Sequence, residues 1–188
     1  MSAGNLPAEV TGVVLAGGKS LRMGCDKAQL AFRGRSLLDH MLELLAQGGI
    51  DARVVSGQYP GYRCIPDTLQ DGGPIAGLLA VAEALPGQRL LCVPIDMPLL
   101  DPRLIRRLLT EAAQAACVRF ADFALPMRLD ASAAVRERLQ AIAGESGRRR
   151  SVLALQAAVA VESLPLGAGD AAAMSNCNTP AEWDNLTR

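Results

Sequence analysis

The sequence predicts an α/β fold: a single three-layer αβα domain, with helices on both faces of a mostly parallel sheet. Two observations carry this expectation. Short apolar, strand-like runs alternate with helical patterns over most of the chain. The first run, Val10 to Leu15, opens at Gly17-Gly18 into a loop bearing Lys19, Arg22 and Lys27, as a phosphate-binding turn on such a sheet would. At 188 residues the chain is long enough for one sizeable core. Half its residues are apolar but only 3% are aromatic, so that core must be built from Leu, Ala, Val and Ile.

The elements follow in order. After the glycine loop, Ala28 to Phe32 is a short apolar segment and Gly34 a turn. Ser36 starts a helix with Asp39 as the capping-box acid, and Gly48-Gly49 ends it. Ala52 to Ser56 reads as a second strand, Tyr59-Pro60-Gly61 as a turn and Arg63 to Pro66 as a third strand. Pro74 suits the first turn of a helix running to about Leu85. Gly77 inside that helix means close helix–sheet packing or close approach of backbone to a ligand. Arg89 to Pro94 is an apolar strand, and Asp101-Pro102 caps and begins a helix over 102–116. Two short strands or a hairpin around Asp122 are expected over 117–129, then a helix over about 131–143 and a loop to Arg150. A helix from Ser151, a strand from Ala158 to Leu164 and a flexible loop at 166–173 follow. Thr179, Pro180 and Glu182 form the start of a last helix.

Composition excludes several functions. Formal net charge is zero, which gives no general electrostatic case for nucleic acid or an anionic membrane. No apolar run approaches the ~20 residues of a membrane span. The N-terminus lacks a basic-then-apolar leader, and the five cysteines are scattered without a C-x-x-C, which suits a reducing cytosol. With one histidine, His40, no Ser-His-Asp triad is possible; a packing role is expected for it. Cys25, in the loop, reads as an incidental residue or an accessible thiol.

The chemistry gathers at a few points. Glycines without Cβ let backbone N–H groups converge on an anion, and the loop's cations complete the cradle. Gly18-Lys19-Ser20 matches the tail of a P-loop, but position 13 is Val where that motif needs Gly. Gly17, Gly18 and Gly24 also miss the dinucleotide spacing. Asp96, just past the carboxyl end of a buried strand, stands where open α/β sheets bind ligands, and a carboxylate there can hold Mg²⁺ on phosphate oxygens. Asn176 and Asn178 lie on alternate positions of one segment and so face one side. Arg148-Arg149-Arg150 is a solvated face or an anion contact.

The stretch L-A-G-G-K-S-L-R-M-G-C-D-K, Leu15 to Lys27, resembles the signature loop of nucleotidyltransferases, and within them the molybdenum cofactor guanylyltransferases. The resemblance covers the first hundred residues and the last fifteen best. It implies a Rossmann-like fold of the nucleotide-diphospho-sugar transferase kind, with a nucleotide half at about 8–100 and an acceptor half at about 101–188. It implies transfer of GMP from GTP to the phosphate of molybdopterin or molybdenum-molybdopterin, with Mg²⁺ and release of pyrophosphate. By position it puts nucleotide binding on Leu15, Ala16, Gly17, Gly18 and Lys27, with Arg22 and Lys27 as phosphate cations. Asp67 becomes the guanosine contact, Gly73-Pro74 the P-G-P-like segment, Asp96 the metal ligand, and Asn176 and Asn178 the pterin side. Ser56 stands where some members carry Asn. Members often show His-Pro after 117; here Arg128 or Asp122 would take over acceptor recognition. Proteins that deliver the pterin or receive the product are implied partners. A CTP-dependent cytidylyltransferase usually reads L-A-A-G, so Gly17 favours GTP. That enzyme and a non-catalytic GTP- or cofactor-binding homologue are the alternatives.

Overall fold

The computed structural model describes residues 9–17, 26–67, 69 and 72–187. Its centre is a seven-stranded sheet built from β1 (Val10–Leu15), β4 (Ala52–Ser56), β5 (Cys64–Ile65), β6 (Arg89–Pro94), β7 (Cys117–Phe120), β8 (Met127–Asp130) and β9 (Val161–Leu164). The strand order is β5-β4-β1-β6-β8-β7-β9. A small hairpin of β2 (Ala31–Phe32) and β3 (Arg35–Ser36) stands apart. All sheet pairings are parallel except those of β8, which runs antiparallel to both β6 and β7.

The sheet separates two packed layers. Val14, Val55, Leu91 and Val93 face α1 (Leu37–Gln47) and α3 (Pro102–Thr110). Val13, Leu15, Val54, Leu90 and Cys92 face α2 (Gly73–Ala84), α4 (Ala133–Ala143) and α5 (Val152–Ala158). Because β1 and β6 are covered on both faces, their sequences are apolar runs rather than alternating ones. Ser36, Asp101, Ser132 and Ser151 cap α1, α3, α4 and α5 through their side chains, as their sequence positions require. Gly77 lies in α2 directly against Ser56 of β4, where a Cβ would collide with the serine side chain. Close helix–sheet packing therefore accounts for this glycine. Among the described residues no helix is long and apolar enough to cross a membrane.

The third helix is shorter than its pattern predicts. Expected over 102–116, it ends at Thr110, and Ala112 takes φ +49°. The cause lies on β8. Arg128, 0% exposed, donates from Nη1 to the carbonyls of Leu108 (3.0 Å) and Glu111 (3.2 Å), and from Nη2 to Ala112 (2.7 Å) and Ala115 (3.0 Å). A buried guanidinium competes for carbonyls that a continued helix would use, and it wins. Arg128 is thus a structural arginine, unavailable for the acceptor recognition raised from sequence. Asp122 sits exposed in the β7–β8 turn at φ +66°. The third strand is trimmed to Cys64–Ile65, and β9 begins only at Val161 because α5 runs on to Ala158. The stretch at 166–173, expected as a loop, enters a 3-10 turn at Asp170–Met174, with Asp170 accepting from Gly167 N (3.0 Å).

His40, on α1, pairs its Nε2 with the carbonyl of Pro98 at 2.8 Å and sits edge-on to Phe32, with centroids 4.7 Å apart. The carbonyl requires Nε2 to carry the proton and donate. The ring ties α1 to the turn that follows β6. Burial, seconded by Arg33 and Arg35, holds its pKa below the usual histidine value, against the pull of the Pro98 carbonyl.

Two stability outcomes follow from these contacts. Arg128→Met leaves several buried carbonyls without their donor and should cost about 3 kcal/mol or more, read by urea denaturation. For His40 the unfolded chain binds the proton more tightly, so its contribution is complete above the unfolded pKa and is lost as pH falls through the depressed folded value. Unfolding free energies of wild type and His40→Gln, compared at neutral and mildly acid pH, should show a smaller acid loss in the variant.

Candidate functional site

The parallel pairing of β1 with β4 and β6 brings their carboxyl ends to one edge, with Leu15 opposite Ser56 and Pro94. Two backbone bonds extend the pairing past the strands: Ala16 N donates to Ser56 O (3.1 Å), and Ile95 N donates to Leu15 O (3.2 Å). Gly17 and Asp96 therefore leave neighbouring strands at the same edge. Leu15 and Ala16 are buried at its base.

Asp67, following β5, places a carboxylate oxygen 3.3 Å from the position a Gly17 Cβ would take. The glycine leaves that space open. Ser56 is buried beside Gly17 and Gly77, a packing position at the floor of the edge. Gly73, at φ +58°, and Pro74 form the first turn of α2, whose cap position, Gly72, provides no side-chain hydrogen bond. Gly18 and Arg22 lie outside the described residues.

On the other side of β6 the end of the chain returns. Cys177 N donates to Asp96 O at 2.7 Å, laying the segment before α6 (Pro180–Thr187) beside the turn that carries Asp96. Lys27, at the start of a 3-10 turn capped by Asp26, donates from Nζ to Cys177 O (3.0 Å) and to Asn178 Oδ1 (2.7 Å). The Asn178 side chain also lies beside the Asp96 carboxylate and favours its charged form. One amide thus holds a cation and stands beside an acid, each from a distant part of the chain. Glu182 braces it, accepting from the backbone N–H of Asn178 (2.7 Å) and Thr179 (2.9 Å), while Thr179 Oγ1 accepts from Glu182 N. This is the capping box read from sequence. Asn176 is exposed on the approach to this bridge.

Asp96 is half-buried, and burial pushes its pKa up; Lys27, its own backbone N–H and Asn178 pull the other way. A carboxylate so placed gains from a nearby cation. Among the described residues no cluster of three His, Cys, Asp or Glu side chains forms a metal cage. A single carboxylate is nonetheless a fitting donor set for Mg²⁺, which takes its remaining ligands from phosphate oxygens and water.

Sequence reasoning did not single out Tyr59. Its hydroxyl reaches Ala16 O (3.1 Å) and Asp26 Oδ1 (3.2 Å), at the two ends of the glycine loop. In the sequence it reads only as part of a turn, and its spacing from the loop carries no signal. Arg148 to Arg150 lie in the α4–α5 connection, where Arg149 pairs with Glu145 at 3.1 Å.

Comparison with known proteins identifies the family. The family model of the MobA-like NTP transferase domain matches residues 12–160. A molybdenum cofactor guanylyltransferase of Xanthomonas euvesicatoria pv. vesicatoria is 45% identical over 177 residues, spanning 94% of this chain and 93% of that protein. In fold, the chain resembles molybdopterin-guanine dinucleotide biosynthesis protein A of Archaeoglobus fulgidus, with TM-score 0.74 and 20% identity over 94% of this chain and 96% of the other. It also resembles a Mycobacterium tuberculosis protein solved as a complex with manganese, with TM-score 0.63 and 20% identity over 95% and 98% of the two chains. The chain belongs to the MobA-like NTP transferase family and is a nucleotidyltransferase.

Proposed function

We propose that this nucleotidyltransferase moves GMP from GTP to the phosphate of molybdopterin or its molybdenum-loaded form, giving the guanine dinucleotide and pyrophosphate, in the cytoplasm. The observation that carries the reading is Lys27 hydrogen-bonded to Asn178, with the Asp96 carboxylate beside them at the paired ends of β1 and β6. It sets one cation and one carboxylate at an open sheet edge, in a chain 45% identical to a guanylyltransferase over nearly its whole length.

The reaction is an in-line displacement at the α-phosphorus: a new acceptor O–P bond forms as the bond to pyrophosphate breaks. The attacking oxygen belongs to a phosphate and is already ionised near neutral pH, so no strong base is needed. Catalysis is then alignment and charge compensation. Lys27 offsets charge on the leaving pyrophosphate, with Arg22 and the backbone N–H groups of Gly17 and Gly18 as further donors. Asp67 takes the guanosine side and the Gly73-Pro74 turn borders the phosphates. Asn178 hands Lys27 to the nucleotide and, with Asn176, faces the pterin. Asp96 would hold Mg²⁺, which when bound neutralises charge on the nucleotide and acceptor phosphate oxygens.

Lys27→Ala and Asp96→Ala should each lower turnover by roughly 10²–10³ in a pyrophosphate-release assay with molybdopterin, while circular dichroism shows a folded protein. Near-normal turnover in both would remove these residues from the mechanism. In the same assay GTP should outperform CTP by at least about tenfold in kcat/KM, because a base site built on hydrogen bonds rejects the wrong heterocycle. Equal use of CTP would reassign the nucleotide, and tight GTP binding without pyrophosphate would make the protein a carrier.

A further inference from the structure

Tyr59 lies where no part of the proposed reaction calls for a phenol. Its hydroxyl is within hydrogen-bond distance of two acceptors, the Ala16 carbonyl and the Asp26 carboxylate. Those acceptors sit at the two ends of the stretch read as the nucleotide loop, ten residues apart in sequence. A tyrosine has one O–H proton, so both acceptors draw on the same donor and are held to one point.

The surroundings are built around this ring. Gly57 adopts φ +142°, and a Cβ there would meet Tyr59 Cε2 at 2.8 Å, so the ring can lie on the end of β4 only because position 57 is glycine. The Tyr59 backbone is fixed from both sides by one thiol. Its N–H donates to Cys64 Sγ, and Cys64 Sγ donates to its carbonyl, each at 3.3 Å. Tyr62 N donates to the same carbonyl at 3.2 Å. Asp26 Oδ1 also accepts from Ala28 N at 3.0 Å, which joins the clamp to the 3-10 turn bearing Lys27. Burial, together with Asp26, pushes the phenol's pKa up to about 12, so it remains a donor across the working pH range.

We infer that Tyr59 is a positioning residue for nucleotide binding: it holds Asp26, the cap of the turn that bears Lys27, to the Ala16 carbonyl at the end of β1, and so fixes where Lys27 meets GTP. The inference rests on the proposed use of GTP. It deepens that reading by naming a residue that acts through Asp26 and the Lys27 turn without touching the reacting phosphates.

The test is Tyr59→Phe in the full chain, which keeps the ring and removes the hydroxyl. GTP affinity is measured by calorimetry, and KM and kcat by pyrophosphate release. Loss of one hydrogen bond of this kind should weaken GTP binding and raise its KM about fivefold to tenfold. At saturating GTP, kcat should stay within about twofold, and Tm within about 2 °C. Asp26→Asn should weaken GTP as well, and the double variant should lose less than the two single losses combined. Tyr62→Phe is the control, since its hydroxyl donates to Asp39 (2.9 Å) on α1 and should leave GTP affinity unchanged. Unchanged GTP affinity in Tyr59→Phe overturns the inference, as does an equal loss in Tyr62→Phe. So does a fall in Tm accompanied by a matching fall in kcat. A wild-type protein that binds GTP but releases no pyrophosphate counts against the transferase reading alone, and calorimetry on the same variants still decides the role of Tyr59.

Discussion

Parallel pairing of β1 with β6 is the constraint on which the site depends. Backbone hydrogen bonds fix the register so that Leu15 lies opposite Pro94, and Ile95 N carries the pairing one step further, to Leu15 O. Every group of interest is placed relative to that seam. Gly17 leaves from one strand and Asp96 from the other, while Asp67 arrives from β5 by way of β4. Because both central strands are buried on both faces, a slip in register would move whole sets of valines and leucines to the wrong layer. The packing that stabilises the sheet is therefore also what aligns the site.

Much of this could be read from the chain. The apolar runs at 10–15, 52–56 and 89–94 are strands to the residue, since continuous Val/Leu patterning bounded by glycine, proline and acid marks a strand covered on both faces. Ser36, Asp101 and the Thr179/Glu182 pair cap as read, because capping is a local matter of one side chain and the next turn. Placing Gly17 and Asp96 at one edge needed only the parallel topology.

What could not be read is tertiary. Nothing local to 102–116 says that the helix stops at Thr110; the cause is Arg128, on a strand later in the chain, collecting carbonyls from the helix end. Arginine on a strand reads as exposed or functional, and here it is fully enclosed. The hydrogen bond from Lys27 to Asn178, with Asp96 beside it, was likewise invisible, although all three residues were named as candidates. Sequence spacing says which groups are suitable and is silent on which of them touch. Tyr59 was missed for the same reason.

The Lys27–Asn178 hydrogen bond joins positions 151 residues apart. During synthesis the seam of the sheet can form while the C-terminal segment is still inside the ribosome, but Lys27 has no Asn178 or Cys177 carbonyl to hold until that segment emerges. A partly made chain can therefore present a strand framework around a centre that still lacks these two contacts.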